Sequence, residues 1–446
     1  MGYYLEKNTG LIFKDRERFL IFMDPVLYLE KQKDMLKHLS PRFVLNLFQN
    51  AFSELLNCFL SEKSLSIKDR LISPFSGSGS NEIKNSIAKI AKISYIARKA
   101  EIPLGNYRNF ISEDERMPDS KYISRLIYSL YMDYDELIKN YGDEIIKKYS
   151  IKNTLFFDKN LYKQEDENYF NPIINFYFKS DNLMPNLTVL FLFGSFSNLN
   201  YVKGFSDANI MGAIKSEVLF DPDRIENLRR IFLKHYRFLN DMNSSTANYI
   251  VLLTENDLNY FSRAIFSLNL FKFSSSLFEY PNIFDVFERD SSLERVNKLW
   301  NICYYFRKEF LSARLINDLN EYAVFIKKVL ILPFIYYQAK GRFFSPSDSL
   351  DYFKREHSEF SGLIDEIQRL RHNWNFVKKP KSYRRNKNVK KILYANPFLY
   401  PFMKRKINLL TNKQKSDYGK YLKRIFKLTE SIIKEIPSFY TNKSYL

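Results

Sequence analysis

The chain has 446 residues, of which 45% are hydrophobic and 27% are charged, a composition typical of a globular protein rather than a disordered one. Only 12 glycines and 15 prolines are present, which excludes collagen-like and linker-dominated chains. The length predicts two or three domains, each large enough to bury its own core.

The net charge of +19 comes from 69 Lys and Arg residues against 50 Asp and Glu residues. It is unevenly distributed, because residues 371–446 contain 20 basic residues and three acidic ones, a net charge of +17. The first 370 residues therefore have 49 basic and 47 acidic residues, a net charge of only +2. An AT-rich genome would enrich lysine along the whole chain, so this concentration predicts a surface for a polyanion in the last sixth.

Three features bear on the compartment. The two cysteines, Cys58 and Cys303, are far apart and cannot form a disulfide framework, which indicates a reducing environment. The segment Met1–Lys7 has no basic region followed by an apolar core, so no secretory signal is predicted. The apolar stretch Tyr322–Tyr337 is interrupted by two lysines and a proline, so we expect no membrane span. Together these features predict a cytoplasmic protein.

The first 150 residues have the spacing of amphipathic helices, with apolar residues repeating every three or four positions. Ser40 is a candidate N-cap, and the proline that follows it occupies the first helical position. A Gly-Ser stretch, Ser76–Ser80, is expected to be a flexible connector. The predicted helices are Pro41–Leu60, Asn81–Ala100, Ser120–Met132 and Tyr134–Tyr149.

After residue 150 the pattern changes to short β-branched and aromatic runs separated by turn-forming residues, which predicts strands. A helix, Asp223–Leu239, is expected between the last two of them. The predicted strands are Asn153–Phe157, Ile173–Phe178, Thr188–Phe193, Ala208–Ile214 and Ala247–Thr254.

Helical periodicity returns at Ser291–Gln338 and continues over Asp348–Leu370, and a basic helix is predicted over Asp417–Ile436. The predicted organisation is a helical N-terminal region (1–150), a central α/β domain (151–290) and a helical C-terminal domain (291–446). The fold class expected from this order is α+β.

The motif that suggests chemistry lies at the ends of two predicted strands. One apolar strand ends in Gly194-Ser195, and twelve positions after Ser195 an aspartate, Asp207, precedes Asn209 at the start of the next strand. This arrangement resembles the polymerase-β-type nucleotidyltransferase superfamily, whose signature is Gly-Ser after a strand followed by an Asp-x-Asp pair. The resemblance covers roughly residues 187–258.

The resemblance implies a small mixed nucleotidyltransferase-like sheet that binds a nucleoside triphosphate. Gly194, Ser195 and Ser206 would bind the phosphates, because backbone N–H groups and hydroxyls donate to phosphate oxygens. Asp207 and Asn209, at i and i+2, would point to one face. They would hold the catalytic Mg²⁺ for transfer of a nucleoside monophosphate.

The chain departs from the signature at the carboxylates. Asn209 stands where the second aspartate is expected, and the following strand contains no acid, although Glu255 and Asp257 come directly after it. Two hypotheses follow: a transferase, or a catalytically inactive nucleic-acid-binding or assembly protein that keeps the fold as a scaffold. The alternative interpretation of the motif is a pair of ordinary turns, in which Gly, Ser and Asp are favoured for local reasons.

A basic segment with aromatic neighbours, residues 378–391, is a candidate RNA or DNA site. Lysine and arginine bind phosphates with release of counterions, and aromatic rings stack on unpaired bases. The alternative is a charged segment without a partner. The four histidines, in contrast, show no metal-ligand spacing with each other or with cysteine. The candidate nucleic-acid-binding residues are Lys378, Lys379, Lys381, Arg384, Arg385, Lys387, Lys390 and Lys391.

Overall fold

The structure, a computed structural model, is mixed α+β as the sequence predicts. Asp207 and the predicted basic site at 378–391 lie outside the described residues. Cys58 and Cys303 are both free thiols. The residues described are 39–61, 77–102, 104, 119–142, 145–153, 156–158, 167–197, 200–202, 205–206, 208–240, 249–263, 268, 271, 274–278, 282–312, 316, 319–374 and 412–436.

In the part of the N-terminal region that the structure describes there are three helices: α1 (Pro41–Ser61), α2 (Gly77–Lys99) and α3 (Ser120–Tyr141). Helix α1 packs against the other two. Helix α2 begins at Gly77, so the connector predicted at Ser76–Ser80 is wrong from its second residue onward. Glycine and serine are weak helix formers but do not block helical geometry.

Helix α3 is continuous, so the break predicted between the helices Ser120–Met132 and Tyr134–Tyr149 is wrong. Asp133, the residue between them, is buried on the inner face of the helix. The side chain of Asp119 caps the start of α3 by accepting a hydrogen bond of 2.7 Å from the backbone N–H of Tyr122.

Two predictions of element type are wrong. Ile145–Tyr149, predicted as helix, belongs to strand β1 (Ile145–Asn153), which pairs antiparallel with β6 (Asn282–Arg289). Ile173–Phe178, predicted as strand, lies mostly in helix α4 (Glu167–Tyr177). In that helix the buried positions are three apart, and such short apolar runs fit either element by pattern alone. Of the strand predicted at Asn153–Phe157, the described residues form mainly the end of β1 and an isolated bridge.

The main sheet has the strand order β4-β3-β2-β5. Strands β2 and β3 are antiparallel, β3 and β4 are parallel, and the short β5 pairs antiparallel with β2. Helix α6 makes the crossover between the two parallel strands. The elements are β2 (Leu187–Phe193), β3 (Asn209–Ile214), α5 (Ser216–Leu219), α6 (Pro222–Asn240), β4 (Tyr249–Thr254), α7 (Glu255–Asn259) and β5 (Ser275–Ser276).

The C-terminal part is helical, as predicted, but the expected long helical segment is divided, because one helix ends at Leu311 and the next begins at Leu319. A 3₁₀ turn, Ser358–Phe360, joins two of its helices. The helices are α8 (Ser292–Leu311), α9 (Leu319–Ala339), α10 (Pro346–Glu356), α11 (Ser361–His372) and α12 (Asn412–Glu435).

Helix α9 is the most apolar helix of the described chain and runs through Pro333 without ending. Its segment Glu321–Ala339 is long and apolar enough to cross a membrane by length and composition, but 72% of its most apolar window is buried inside the fold. It packs against α8, α10 and α11. The apolar surface is therefore accounted for by packing between helices, and the described residues contain no clear membrane span.

The N-terminal helices and the main sheet share one hydrophobic core, in which α1 packs against β4. The C-terminal helices enclose a second core, and the β1–β6 ribbon covers a third. The domain limits at residues 150 and 290 stay predictions.

Candidate functional site

The two halves of the predicted motif are neighbours in the sheet. Gly194 leaves β2 with a φ of +83°, and Asn209 opens β3 opposite Phe193, the last residue of β2. A Cβ atom added to Gly194 would lie 3.4 Å from the Nδ2 atom of Asn209. Because positive φ values favour glycine, this residue allows the chain to turn directly beside the Asn209 amide.

The side chain of Asn209 has an unused acceptor. Its Oδ1 atom is buried and has no hydrogen-bond partner among the described residues. A buried acceptor without a partner costs about 1–3 kcal/mol. The oxygen therefore suits a hydroxyl donor, a water molecule or a cation at this end of the sheet.

The two serines of the motif differ in their surroundings. Ser195 lies half-buried in the turn that follows β2. Ser206 is buried, and its Oγ atom accepts a hydrogen bond of 2.8 Å from the backbone N–H of Val202. The backbone N–H of Ser206 donates to the carbonyl of the same valine. Ser195 is thus placed at the surface of the turn, whereas the hydroxyl of Ser206 stabilises the loop before β3.

The acids that follow β4 lie at the opposite end of the sheet from Asn209. Strand β4 runs parallel to β3, with Tyr249 beside Asn209 and Thr254 beside Ile214. Asn209 and Ile214 are five residues apart along β3, which corresponds to a distance of roughly 16 Å along the strand. Glu255, the residue after Thr254, is therefore far from the Gly194–Asn209 end.

Both of these acids make contacts that stabilise the fold. Glu255 accepts hydrogen bonds from the hydroxyl of Thr188 at 2.6 Å and from the backbone N–H of Ser216 at 2.7 Å. Asp257 is fully enclosed, and burial raises the pKa of its carboxyl group above the ordinary value. Its hydrogen-bond donors are Gln49, Tyr134 and Thr254.

The metal ligands that the described residues offer at the Gly194–Asn209 end of the sheet do not fit a centre of two Mg²⁺ ions. Mg²⁺ is usually held by one or two carboxylates together with water and phosphate. The described strands β2, β3 and β4 contain no Asp or Glu. The Asn209 oxygen is a neutral ligand, and no charge from Glu255 or Asp257 reaches it.

A second candidate site is the outer face of helix α12. Among the side chains of this helix that the structure describes, four lysines are exposed, whereas apolar residues of its opposite face enter the C-terminal core. Glu366 of α11 pairs with Arg424 at 2.9 Å and lies 3.9 Å from Lys420. The helix therefore presents a cationic stripe, the lysine stripe, formed by Lys420, Lys423, Lys427 and Lys434.

A third cluster, which the sequence did not predict, joins Glu356, His357 and Glu435. One ligand atom from each residue lies within 4.8 Å of the others. Its members are adjacent or 78 residues apart in the chain, so no metal-ligand spacing was present to reveal them.

The chain matches no known protein-family profile, no curated protein and no solved structure.

Proposed function

We propose that this chain is a nucleotidyltransferase-like protein that binds a nucleoside triphosphate at the Gly194–Asn209 end of its sheet without transferring the nucleotide. The observation that carries the proposal is the turn at Gly194, where the chain passes directly beside a buried amide oxygen that has no partner. The backbone N–H groups and hydroxyl of the Gly194-Ser195 turn are donors for phosphate oxygens. The Asn209 oxygen is an acceptor, which suits a ribose hydroxyl or a hydrated cation accompanying the phosphates.

The order of the strands supports the resemblance from which the proposal starts. The strand that ends in Gly-Ser, the strand that carries Asn209 and the strand after it are β2, β3 and β4. They are consecutive neighbours in one sheet. The Gly194-Ser195 turn and Asn209, which stands at the second position of the Asp-x-Asp pair, therefore lie at the same end of that sheet, as the resemblance requires.

We expect binding without transfer because of the number and the positions of the acidic residues around the sheet. A transferase of this class needs carboxylates that hold metal ions against the attacking and leaving oxygens. Here Asn209 replaces one of them, and Glu255 and Asp257 are held at the far end by Thr188, Gln49 and other donors. Of the signature's Asp-x-Asp pair only Asp207 is an acid in this sequence, and one carboxylate supplies too little negative charge to hold two divalent ions.

The experiment is calorimetric titration of the full chain with each of the four ribonucleoside triphosphates, with and without Mg²⁺. We expect saturable binding that is weakened in Asn209→Ala and in Asp207→Ala. The matched control is Asn259→Ala, an exposed asparagine at the end of α7. Pyrophosphate release is measured in parallel and is expected to be absent.

Two results would contradict the proposal. Failure of the folded wild-type chain to bind any of the four triphosphates would remove the binding function. Pyrophosphate release that disappears in Asp207→Ala would instead establish the transferase and overturn the claim of binding without transfer.

The lysine stripe of α12 favours a second function, binding of RNA or DNA by the C-terminal part. The stripe lies within residues 371–446, where most of the net positive charge is found, and its four lysines are exposed. Regularly spaced cations on one helix face suit the phosphates of a nucleic acid.

A further inference from the structure

Three helices of the C-terminal part end at one place, the three-helix junction formed by the carboxyl ends of α9, α10 and α12. Their last residues are Ala339, Glu356 and Glu435. The carboxyl end of a helix carries a partial negative charge because its last carbonyl groups have no intrahelical donors. A cation is therefore favoured at the junction before any side chain is considered.

The side chains add more negative charge than they neutralise. Lys340 donates to Oε1 of Glu356 at 2.6 Å, and its ammonium group lies 3.6 Å from Oε2 of Glu435. Tyr336 donates to Glu435 at 2.6 Å, and Tyr337 donates to Oε2 of Glu356 at 2.7 Å. Two carboxylates thus face one ammonium group, and a cation of higher charge would be better matched to them.

The hydrogen bonding of the His357 ring is incomplete among the described residues. His357 is 6% exposed, and its ring packs against the rings of Phe353 at 4.4 Å and Tyr336 at 5.2 Å between centroids. Its Nε2 atom is buried and has no hydrogen-bond partner in the described part of the chain. A ring nitrogen of His357 lies within 4.8 Å of carboxylate oxygens of Glu356 and Glu435. A metal ion would satisfy these three groups together.

We propose that the three-helix junction binds one divalent transition-metal ion through Glu356, His357 and Glu435, with the ammonium group of Lys340 as the competing cation. Imidazole together with carboxylates suits zinc and its neighbours in the first transition series. Three protein ligands with a water molecule in the fourth position make an open zinc site. Magnesium and calcium prefer oxygen ligands alone, so the histidine distinguishes the classes.

Competition with Lys340 gives the proposal a sharp test. The ammonium group contacts the same carboxylates that the ion would use, so binding of the ion requires the lysine to leave them. Removing the ammonium group should strengthen metal binding, whereas removing the imidazole should weaken it. Damage to the fold would not produce this pair of opposite effects.

The experiment is calorimetric titration of the metal-free full chain with ZnCl₂ near neutral pH, repeated with MgCl₂. We expect one Zn²⁺ per chain and much weaker binding of Mg²⁺. His357→Phe keeps a ring between Tyr336 and Phe353 and should lower the Zn²⁺ affinity at least as much as the roughly 10–100-fold typical for loss of a ligand's partner. Lys340→Met should raise the affinity. The matched control, His372→Phe, removes an exposed histidine at the end of α11 and should change nothing.

Circular dichroism and thermal melting are used to check that each metal-free variant is folded. Three results would overturn the proposal: no Zn²⁺ binding by the wild-type chain, binding that His357→Phe leaves unchanged, or Mg²⁺ binding as tight as that of Zn²⁺. A Lys340→Met variant with weaker Zn²⁺ binding would exclude the competition.

Discussion

The backbone conformation of Gly194 brings the turn after β2 beside the Asn209 amide. With φ at +83°, a residue with a side chain would be strained there, and its Cβ atom would lie in van der Waals contact with Asn209 Nδ2, at 3.4 Å. We expect Gly194→Ala to lower the free energy of unfolding by about 1–2 kcal/mol, measured by urea denaturation. Gly419→Ala, in the open middle of α12, is the control and should raise it by up to about 1 kcal/mol. Equal stability of Gly194→Ala and the wild type would contradict the strained turn.

Lys298 of α8 gives a prediction for pH. Burial lowers the pKa of its ammonium group to about 8, below the value of about 10.4 in an unfolded chain. Between these values the unfolded chain binds more protons than the folded one, so the free energy of unfolding should rise with pH, by at most about 3 kcal/mol from this group.

The measurement is urea denaturation at a series of pH values for the wild type and Lys298→Met. The methionine variant should lack this rise. Lys308→Met, which changes an exposed lysine on the same helix, should keep it. A rise of the same size in Lys298→Met would refute the assignment to this residue.

Helix α12 has two different faces, of which one enters the C-terminal core and the other carries the lysine stripe. Truncation after Leu370 would therefore remove Ile425, Leu428 and Ile432 from that core together with the charge. Substitutions on the outer face separate the two effects and test nucleic-acid binding in an intact fold.

We expect the double variant Lys423→Gln/Lys427→Gln to bind nucleic acid more weakly than the wild type. The slope of log affinity against log salt should decrease by about 1.4–1.8, since each phosphate contact contributes roughly 0.7–0.9. Fluorescence anisotropy with single-stranded and duplex oligonucleotides measures both quantities. Lys84→Gln/Lys121→Gln changes two exposed lysines on α2 and α3 and is the control. An unchanged salt slope in the first variant would exclude the stripe as the binding surface.

Arg289 connects the main parts of the molecule. It is fully buried in β6, donates to Gln49 of α1 at 2.8 Å and pairs with Glu294 of α8 at 2.5 Å. The same Gln49 donates to Asp257, so the N-terminal helices, the sheet and the C-terminal helices share one polar network. Removing any side chain of this network should lower the free energy of unfolding, because its buried hydrogen-bond partner would be left unsatisfied.

We expect Arg289→Met to lower the free energy of unfolding by about 3–5 kcal/mol, the range for breaking a buried ion pair. The control is Arg307→Met, whose pair with Glu430 is 3.6 Å long and more exposed, and whose loss should cost less than about 1 kcal/mol. Urea denaturation followed by tryptophan fluorescence measures both. A similar loss of unfolding free energy in the two variants would show that the Arg289 network does not connect the N-terminal helices with the C-terminal helices.

Elements with long or unbroken patterns were predictable. The apolar face of α1, the strand that ends at Phe193 and the amphipathic helix α6 each depend on residues close together in the chain. The short runs at Ile145–Tyr149 and Ile173–Phe178 were assigned wrongly because such segments fit helix or strand equally well until neighbouring elements decide. Next to the candidate site, the apolar runs Thr188–Phe193 and Ala208–Ile214 correctly predicted the two strands that Gly194 follows and Asn209 opens, whereas nucleotide binding there stays a prediction.

The α+β class, the concentration of charge near the C-terminus and the strands around Gly194 could be derived from the order of residues alone, since periodicity and local turn chemistry act over a few positions. The tertiary structure decided that Glu255 lies at the far end of the sheet from Asn209, because parallel pairing of β3 and β4 sets that distance. It also brought His357 together with Glu435, because packing of α9, α10 and α12 joins residues that no local pattern relates.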